Sequence, residues 1–190
     1  MSSIEKAGQD LQELFGKSRF EIMTETAAII TGLMKYHGIT PVVVGGLAVE
    51  IYTRGHYTTL DIDLVTKGRD LTGNILHQLG FTREGRHWYH PELDVAIEIP
   101  DSKLEGADES KIIRLELPSE RYLYVIGIED IILDRLRDFV HRTSSSDCEW
   151  GLRMLKVHFD SLDLKYIREM AEKDHFSTAQ KLDKWLKETS

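Results

Sequence analysis

Pro41-Val42-Val43-Val44-Gly45-Gly46 and, a little further on, Thr59-Leu60-Asp61-Ile62-Asp63-Leu64-Val65 read as two neighbouring strands. The first is a β-branched run that suits a strand buried on both faces. It stops at Gly45-Gly46, and Leu47–Tyr52 is predicted to continue as a short helix. A strand-to-helix turn made by glycines has no Cβ atoms, so backbone N–H groups can come close to a phosphate, and the helix N-terminus favours negative charge there. The second stretch alternates. Residues i and i+2 of a strand point to one face, so Asp61 and Asp63 project side by side, about 7 Å apart at the backbone. Ile62 and Leu64 point the other way, into a core. Two adjacent carboxylates are costly unless a cation lies between them. They suit hard divalent ions with oxygen ligands, and paired ions about 3.5–4 Å apart hold the attacking and leaving oxygens in phosphoryl transfer. A lone Asp-x-Asp is more often a solvent-facing alternation and a lone Gly-Gly a plain turn. Their succession within one short segment is what points to a metal-polyphosphate site.

Outward from this centre the chain reads as helix, α/β unit, helix. Residues 3–15 carry Ile4, Ala7, Leu11, Leu14 and Phe15 at helical spacing. Ser18 is placed to cap a second helix that runs to about His37 and ends at Gly38. Residues 69–79 form a helix closed by Gly80. Arg86–His90, Leu93–Ile99, Ile112–Leu117 and Tyr122–Ile126 read as strands, and Pro100–Ser110 as an acidic loop. Helices follow near 128–142, 147–159, 163–173 and 176–188, with Thr143-Ser144-Ser145-Ser146 as a loop and cap region. The predicted organisation is therefore N-terminal helices packing on the core (1–38), an α/β unit (39–126) and a C-terminal helical unit (127–190). The fold class is α+β, with a mixed sheet flanked by helices.

Composition narrows the functional classes. The 190 residues are 41% hydrophobic and 29% charged, a globular balance. The formal net charge is -8, which argues against a general nucleic-acid clamp. Cys148 is the only cysteine, so an intrachain disulfide and a cysteine-based zinc site are excluded. No stretch approaches the roughly 20 apolar residues that cross a bilayer, and the N-terminal residues carry no signal-like apolar run. A soluble, cytoplasmic protein is the expectation; homo-oligomerisation is left open.

The segment GGLAVEIYTRGHYTTLDIDLV (45–65) resembles the signature of the nucleotidyltransferase superfamily: a glycine pair, then hydrophobic-Asp-x-Asp-hydrophobic. Arg54 and Thr59, AIEIPDSKLEG (96–106) and GIEDIILDRLRDFVH (127–141) further resemble the DUF6036-type, nucleotidyltransferase-like proteins. The resemblance spans about residues 25–174. It implies a nucleotidyltransferase-like sheet, Mg²⁺ or Mn²⁺ held by Asp61 and Asp63, and an NTP whose phosphates lie at Gly45 and Gly46, with Arg54 and Thr59 beside them. It also implies a third carboxylate on a neighbouring strand, acting on an acceptor hydroxyl and able to join the metal set. Asp94 and Glu98 share the parity that places both on one face of the expected 93–99 strand. Asp94 fits the superfamily's hydrophobic-Asp-hydrophobic pattern, and Glu98 fits the Glu-hydrophobic-Pro pattern of the narrower family; spacing leaves both open. The acceptor class (protein, RNA or small molecule) is also open. A catalytically inactive nucleotide-binding or interaction module, as in a toxin–antitoxin pair, is the alternative that the resemblance permits.

The remaining polar residues have blander readings. Arg135 is expected to pair within its helix with Asp130 or Asp138, a triphosphate contact from the helical unit being the sharper alternative. His56 and Tyr57 fall in the loop before the aspartates. His87, His90 and His141 lack the spacing of a helical zinc pair. Trp88, Tyr89, Trp150 and Trp185 are expected to pack in cores, and Lys181, Lys184 and Lys187 to form a solvated stripe.

Overall fold

Ser18 opens the first long helix as its chemistry requires. Its side chain accepts from the Glu21 N–H while the Glu21 carboxylate takes the Ser18 N–H at 3.1 Å, a complete capping box. The computed structural model describes residues 3–174 and 176–189. Helices α1 (Ser3–Gln12) and α2 (Arg19–Lys35) are followed by β1 (Val42–Val44), α3 (Gly45–Tyr52), β2 (Asp61–Val65) and α4 (Arg69–Gln78). The strands β3 (Thr82–Glu84), β4 (His87–His90), β5 (Val95–Glu98), β6 (Ile113–Glu116) and β7 (Tyr122–Val125) complete one sheet. Helices α5 (Ile128–Arg142), α6 (Ser145–His158), α7 (Leu164–Lys173) and α8 (Phe176–Thr189) close the chain.

The sheet order is β3-β4-β5-β2-β1-β7-β6. β1 runs antiparallel to β2 and parallel to β7, and β2 runs parallel to β5, so the sheet is mixed. The fold is thus α+β, a mixed seven-stranded sheet flanked by helices, as the sequence predicts. Two of its registers matter for chemistry: Val44 lies opposite Asp63, and Asp63 opposite Glu98.

α2 packs against β2 and β7 and is itself covered by α1. It is therefore buried nearly all round, which is why Met23, Ala27, Ile30 and Met34 are joined by buried Thr24, Glu25, Thr26 and Thr31. Buried Glu25 is neutralised by Arg121 at 3.0 Å, and Arg121 also holds Asp10 of α1 at 3.0 Å. One arginine thereby ties both N-terminal helices to the turn before β7. On the other side α5 and α6 pack against α3, and α5 carries α7 and α8. Among the described residues no helix is long and apolar enough to cross a membrane.

Three local expectations are corrected. The glycine pair forms the first two residues of α3 instead of preceding it. The span 93–99 is not one strand: His90 pairs with Val95, so 91–94 form the connection, and Asp94 adopts a left-handed conformation at φ 51, which Asp tolerates better than most residues. The edge strand β3, which no expected strand covers, has no apolar alternation, since Thr82, Arg83 and Glu84 are all exposed; it pairs with β4 and lies against α4.

Trp185 of α8 is buried, stacks on Phe139 of α5 at 6.4 Å, and covers Gly151 of α6, where any Cβ would collide with the indole. Trp185→Ala is expected to cost about 3–5 kcal/mol and to lower the urea midpoint of unfolding followed by far-UV circular dichroism.

Candidate metal and nucleotide site

The two central elements meet at the glycine bend. β1 delivers Val44 beside Asp63, so the chain turns into α3 directly over that carboxylate. Gly45 has φ 59, and a Cβ there would overlap the Asp63 carboxylate. Glycine is thus required twice, for the left-handed backbone and for the close approach. A Cβ on Gly46 would overlap Thr59 in the same way. Val44, at the N-cap of α3, offers no side-chain cap. The Asp63 carboxylate, from another strand, lies against this bend, where the Gly46 N–H favours its charged form, so negative charge sits at a helix N-terminus.

Asp63 pays for this position electrostatically. Burial first, then Asp61 and Glu98, push its carboxyl up to about 6, against the downward pull of the Gly46 N–H and Arg135. Asp61, two residues back on the same face, accepts from the Thr59 hydroxyl at 3.0 Å. Among the described residues neither aspartate forms an ion pair with lysine or arginine, whereas Glu98 is met by Arg86 at 3.3 Å and by His87 Nδ1 at 3.7 Å.

The structure brings Asp61, Asp63, Thr59, Gly45, Gly46 and Glu98 together. It does not bring Asp94 or Arg54. Asp94 lies outside β5, its carboxylate held by Arg19 at 3.3 Å and by the Tyr89 hydroxyl at 2.9 Å. Of the two candidates for a third carboxylate, Glu98 is the one in register with Asp63. Arg54 is exposed, at φ 53, beyond the end of α3 that lies away from the bend. Tyr57 stacks edge-on against Trp150 at 5.1 Å beside Gly46, and His56 is exposed. Arg135 pairs not within its helix but with Asp147 of α6 at 2.7 Å, because the fold of α6 back onto α5 brings a carboxylate closer than the helix's own face does.

Two residues were not anticipated. Arg86 and His87 sit at the start of β4, and their place at the site depends on the β4–β5 register, which sets His87 opposite Glu98. No local motif encodes that pairing. Asp61, His87 and Glu98 have ligand atoms that all lie within 4.8 Å of one another, a separation that a single divalent ion can bridge. Asp63 is not in that group, since its carboxylate is turned to the bend. Glu98 also borders a cleft of about 430 Å³ between the sheet, with Gly45, Asp63 and Arg86, and α5, with Asp134, Arg135, Arg137, Asp138 and Arg142. Carboxylates and guanidinium groups thus line both walls, and on α5 the arginines are themselves paired, Arg137 with Asp134 at 3.2 Å and Arg142 with Asp138 at 3.3 Å.

A scan against protein-family models gives no match, and neither does a search of the curated proteins. Solved structures do match in shape. An antigenic nucleotidyltransferase-like protein from Paracoccidioides brasiliensis is 15% identical, with 94% of this chain and 93% of that one covered and a TM-score of 0.56. ANT(2")-Ia in complex with adenylyl-2"-tobramycin is 17% identical, with 74% of this chain and 90% of that one covered and a TM-score of 0.53. The chain therefore has a nucleotidyltransferase-like fold.

A raised carboxyl pKa stabilises the folded form below the ordinary aspartate range and withdraws that stability as pH rises. For Asp63 the loss runs between about pH 4 and pH 6 and is complete above. Without metal, Asp63→Asn is thus expected to be more stable than the parent at pH 7.5, by on the order of 2 kcal/mol, with the gain vanishing as pH falls to 4. Thermal melts of both proteins across that range check this.

Proposed function

We propose that this protein is a divalent-metal-dependent nucleotidyltransferase that moves a nucleoside monophosphate from an NTP to a hydroxyl. The observation that carries the reading is the contact of the Asp63 carboxylate with the Gly45-Gly46 bend, which sets a cation site against a helix N-terminus. Asp61 and Glu98, whose ligand atoms lie together, would hold the cation, and Asp63 would join them by turning from the bend. The bound metal would neutralise the phosphates and polarise the reacting centre. The N-terminus of α3 would face the β- and γ-phosphates, with the Gly46 N–H shared between phosphate and Asp63. Arg86, 77% exposed and bordering the same cleft, would turn to that anion.

In the transfer step the acceptor oxygen attacks the α-phosphorus, and the bond from that phosphorus to the α,β-bridging oxygen breaks. Pyrophosphate leaves, and the hydroxyl proton passes to Glu98, whose side chain is mostly buried at the floor of the cleft. Glu98 is preferred to Asp94 in this role because only Glu98 is in register with Asp63. Catalysis of this kind rests on positioning and charge neutralisation. A hydroxyl acceptor is in keeping with the adenylyl-2"-tobramycin bound to the structural neighbour ANT(2")-Ia. The finer likeness to the DUF6036-type proteins, with Arg54 and Thr59 in its pattern, belongs to the same proposal, as does a three-part division at residues 38 and 126.

The test is calorimetric titration of each NTP in the presence of Mg²⁺ or Mn²⁺, followed by labelled-nucleotide transfer to protein, RNA and polyhydroxylated small-molecule acceptors. The parent is expected to bind at least one NTP only with metal, and Asp61→Asn/Asp63→Asn to bind it at least about tenfold more weakly, since a charged contact is worth more than 1.4 kcal/mol. Binding that is indifferent to metal and to both aspartates would remove the basis for the reading. Binding without transfer to any acceptor class would favour the non-catalytic module.

A further inference from the structure

We propose that His87 is a nitrogen ligand of the cation held here, so that the site takes a first-row transition ion such as Mn²⁺ in preference to an all-oxygen Mg²⁺ centre. This rests on the proposed function above and specifies its metal.

The placement comes from the sheet. His87, Glu98 and Asp63 are successive partners across β4, β5 and β2, and residues directly opposite in adjacent strands share a face. The row ends at Val44 and the glycine bend. His87 is therefore aligned with the carboxylates by backbone pairing, which is more rigid than a loop. Its Nδ1 lies 3.7 Å from a Glu98 oxygen, too far for a hydrogen bond. The side chain is 36% exposed, but that nitrogen is screened from solvent and has no hydrogen-bond partner among the described residues. A buried polar atom without a partner costs about 1–3 kcal/mol, so its presence calls for a further group. The neighbouring ligand atoms of Asp61 and Glu98, all within 4.8 Å, show where that group would sit.

The donor set decides the kind of ion. One imidazole nitrogen and two carboxylates suit Mn²⁺ through Zn²⁺, whereas Mg²⁺ favours oxygen donors and retains its waters. Ligation fixes the tautomer. His87 Nε2 now accepts from Arg86 Nε at 3.3 Å, which leaves the ring proton of the neutral imidazole on Nδ1. For Nδ1 to give its lone pair to a metal, that proton must leave and Nε2 must carry one, so Arg86 has to withdraw. Arg86 is free to do so: 77% of its side chain is exposed, and it borders the cleft offered to polyphosphate. Metal entry at His87 and movement of Arg86 toward phosphate are thus one rearrangement.

The test is pulsed electron paramagnetic resonance on the full chain loaded with Mn²⁺. Modulation from one directly bound ¹⁴N is expected, replaced by the ¹⁵N pattern when the protein is grown with ¹⁵N-histidine. It should be absent in His87→Ala and His87→Gln, whose folding is checked by thermal melting, and present in His90→Gln. Both His87 variants should bind Mn²⁺ about tenfold more weakly or worse, with Mg²⁺ affinity little changed. Mn²⁺ bound in an Asp61-dependent manner but without nitrogen coupling would overturn the assignment of His87 and leave the proposed function standing. Failure of the parent to bind Mn²⁺ at all would overturn both.

Discussion

Asp63 reaches the start of α3 only because Gly45 has no side chain, and much of the site follows from that contact. The carboxylate lies at the start of a helix whose own N-cap, Val44, offers no side-chain cap. In return the helix N-terminus supplies partial positive charge to a group that burial would otherwise force toward neutrality. The approach of the Gly46 N–H to Asp63 therefore joins helix start and carboxylate, and favours the charged form of a side chain that burial opposes. Thr59 serves Asp61 in a parallel way: its hydroxyl donates to the carboxylate, and its side chain fits against Gly46 only for want of a Cβ. Each glycine is paired with one residue of the Thr-x-Asp-x-Asp stretch, which is why the two sequence features belong together.

The site remains electrostatically unfinished. Asp61, Asp63 and Glu98 lie in one neighbourhood, and the cation fixed there, Arg86, is on the surface and pairs with Glu98 alone. The chain contrasts this with its structural ion pairs. Buried Glu25 has Arg121, and Arg135 has Asp147. Glu50 and Asp130 are also buried without a lysine or arginine ion pair among the described residues, each held by hydrogen bonds instead, so what sets Asp61 and Asp63 apart is that they lie side by side at the glycine bend. On the opposite wall Asp134 is held by Arg137 at 3.2 Å.

How much of this was legible in the sequence follows the range of the interactions involved. The capping box at Ser18, the bend at Gly45-Gly46 and the alternation of Asp61 with Ile62 are local, and each could be read from a few consecutive residues. β3 could not, because an edge strand of exposed polar residues has no periodicity of its own. Asp94 misled for a related reason. Parity places it with Glu98, but parity holds only while a strand continues, and the connection between His90 and Val95 interrupts it. Arg135 pairs across a helix–helix contact that no spacing rule covers. His87 is the clearest case. It was weighed only against the helical zinc pattern, whereas its partners come from a hairpin register and a parallel strand far along the chain.

That same register explains why the sheet, and not the helices, carries the chemistry. Glu98 reaches Asp63 because β5 lies parallel to β2, and His87 reaches Glu98 because β4 folds back antiparallel on β5. A slip of one residue in either pairing would turn the affected side chains to the opposite face, among Ile62, Leu64, Val95 and Ile97, all fully buried. The apolar face therefore protects the polar one: misregister would bury carboxylates and expose isoleucines, so core packing penalises every arrangement in which the site is misassembled. The geometry of the candidate site is thus enforced by side chains that do not touch it, and the helices supply what the sheet cannot, a field at the N-terminus of α3 and guanidinium groups on α5.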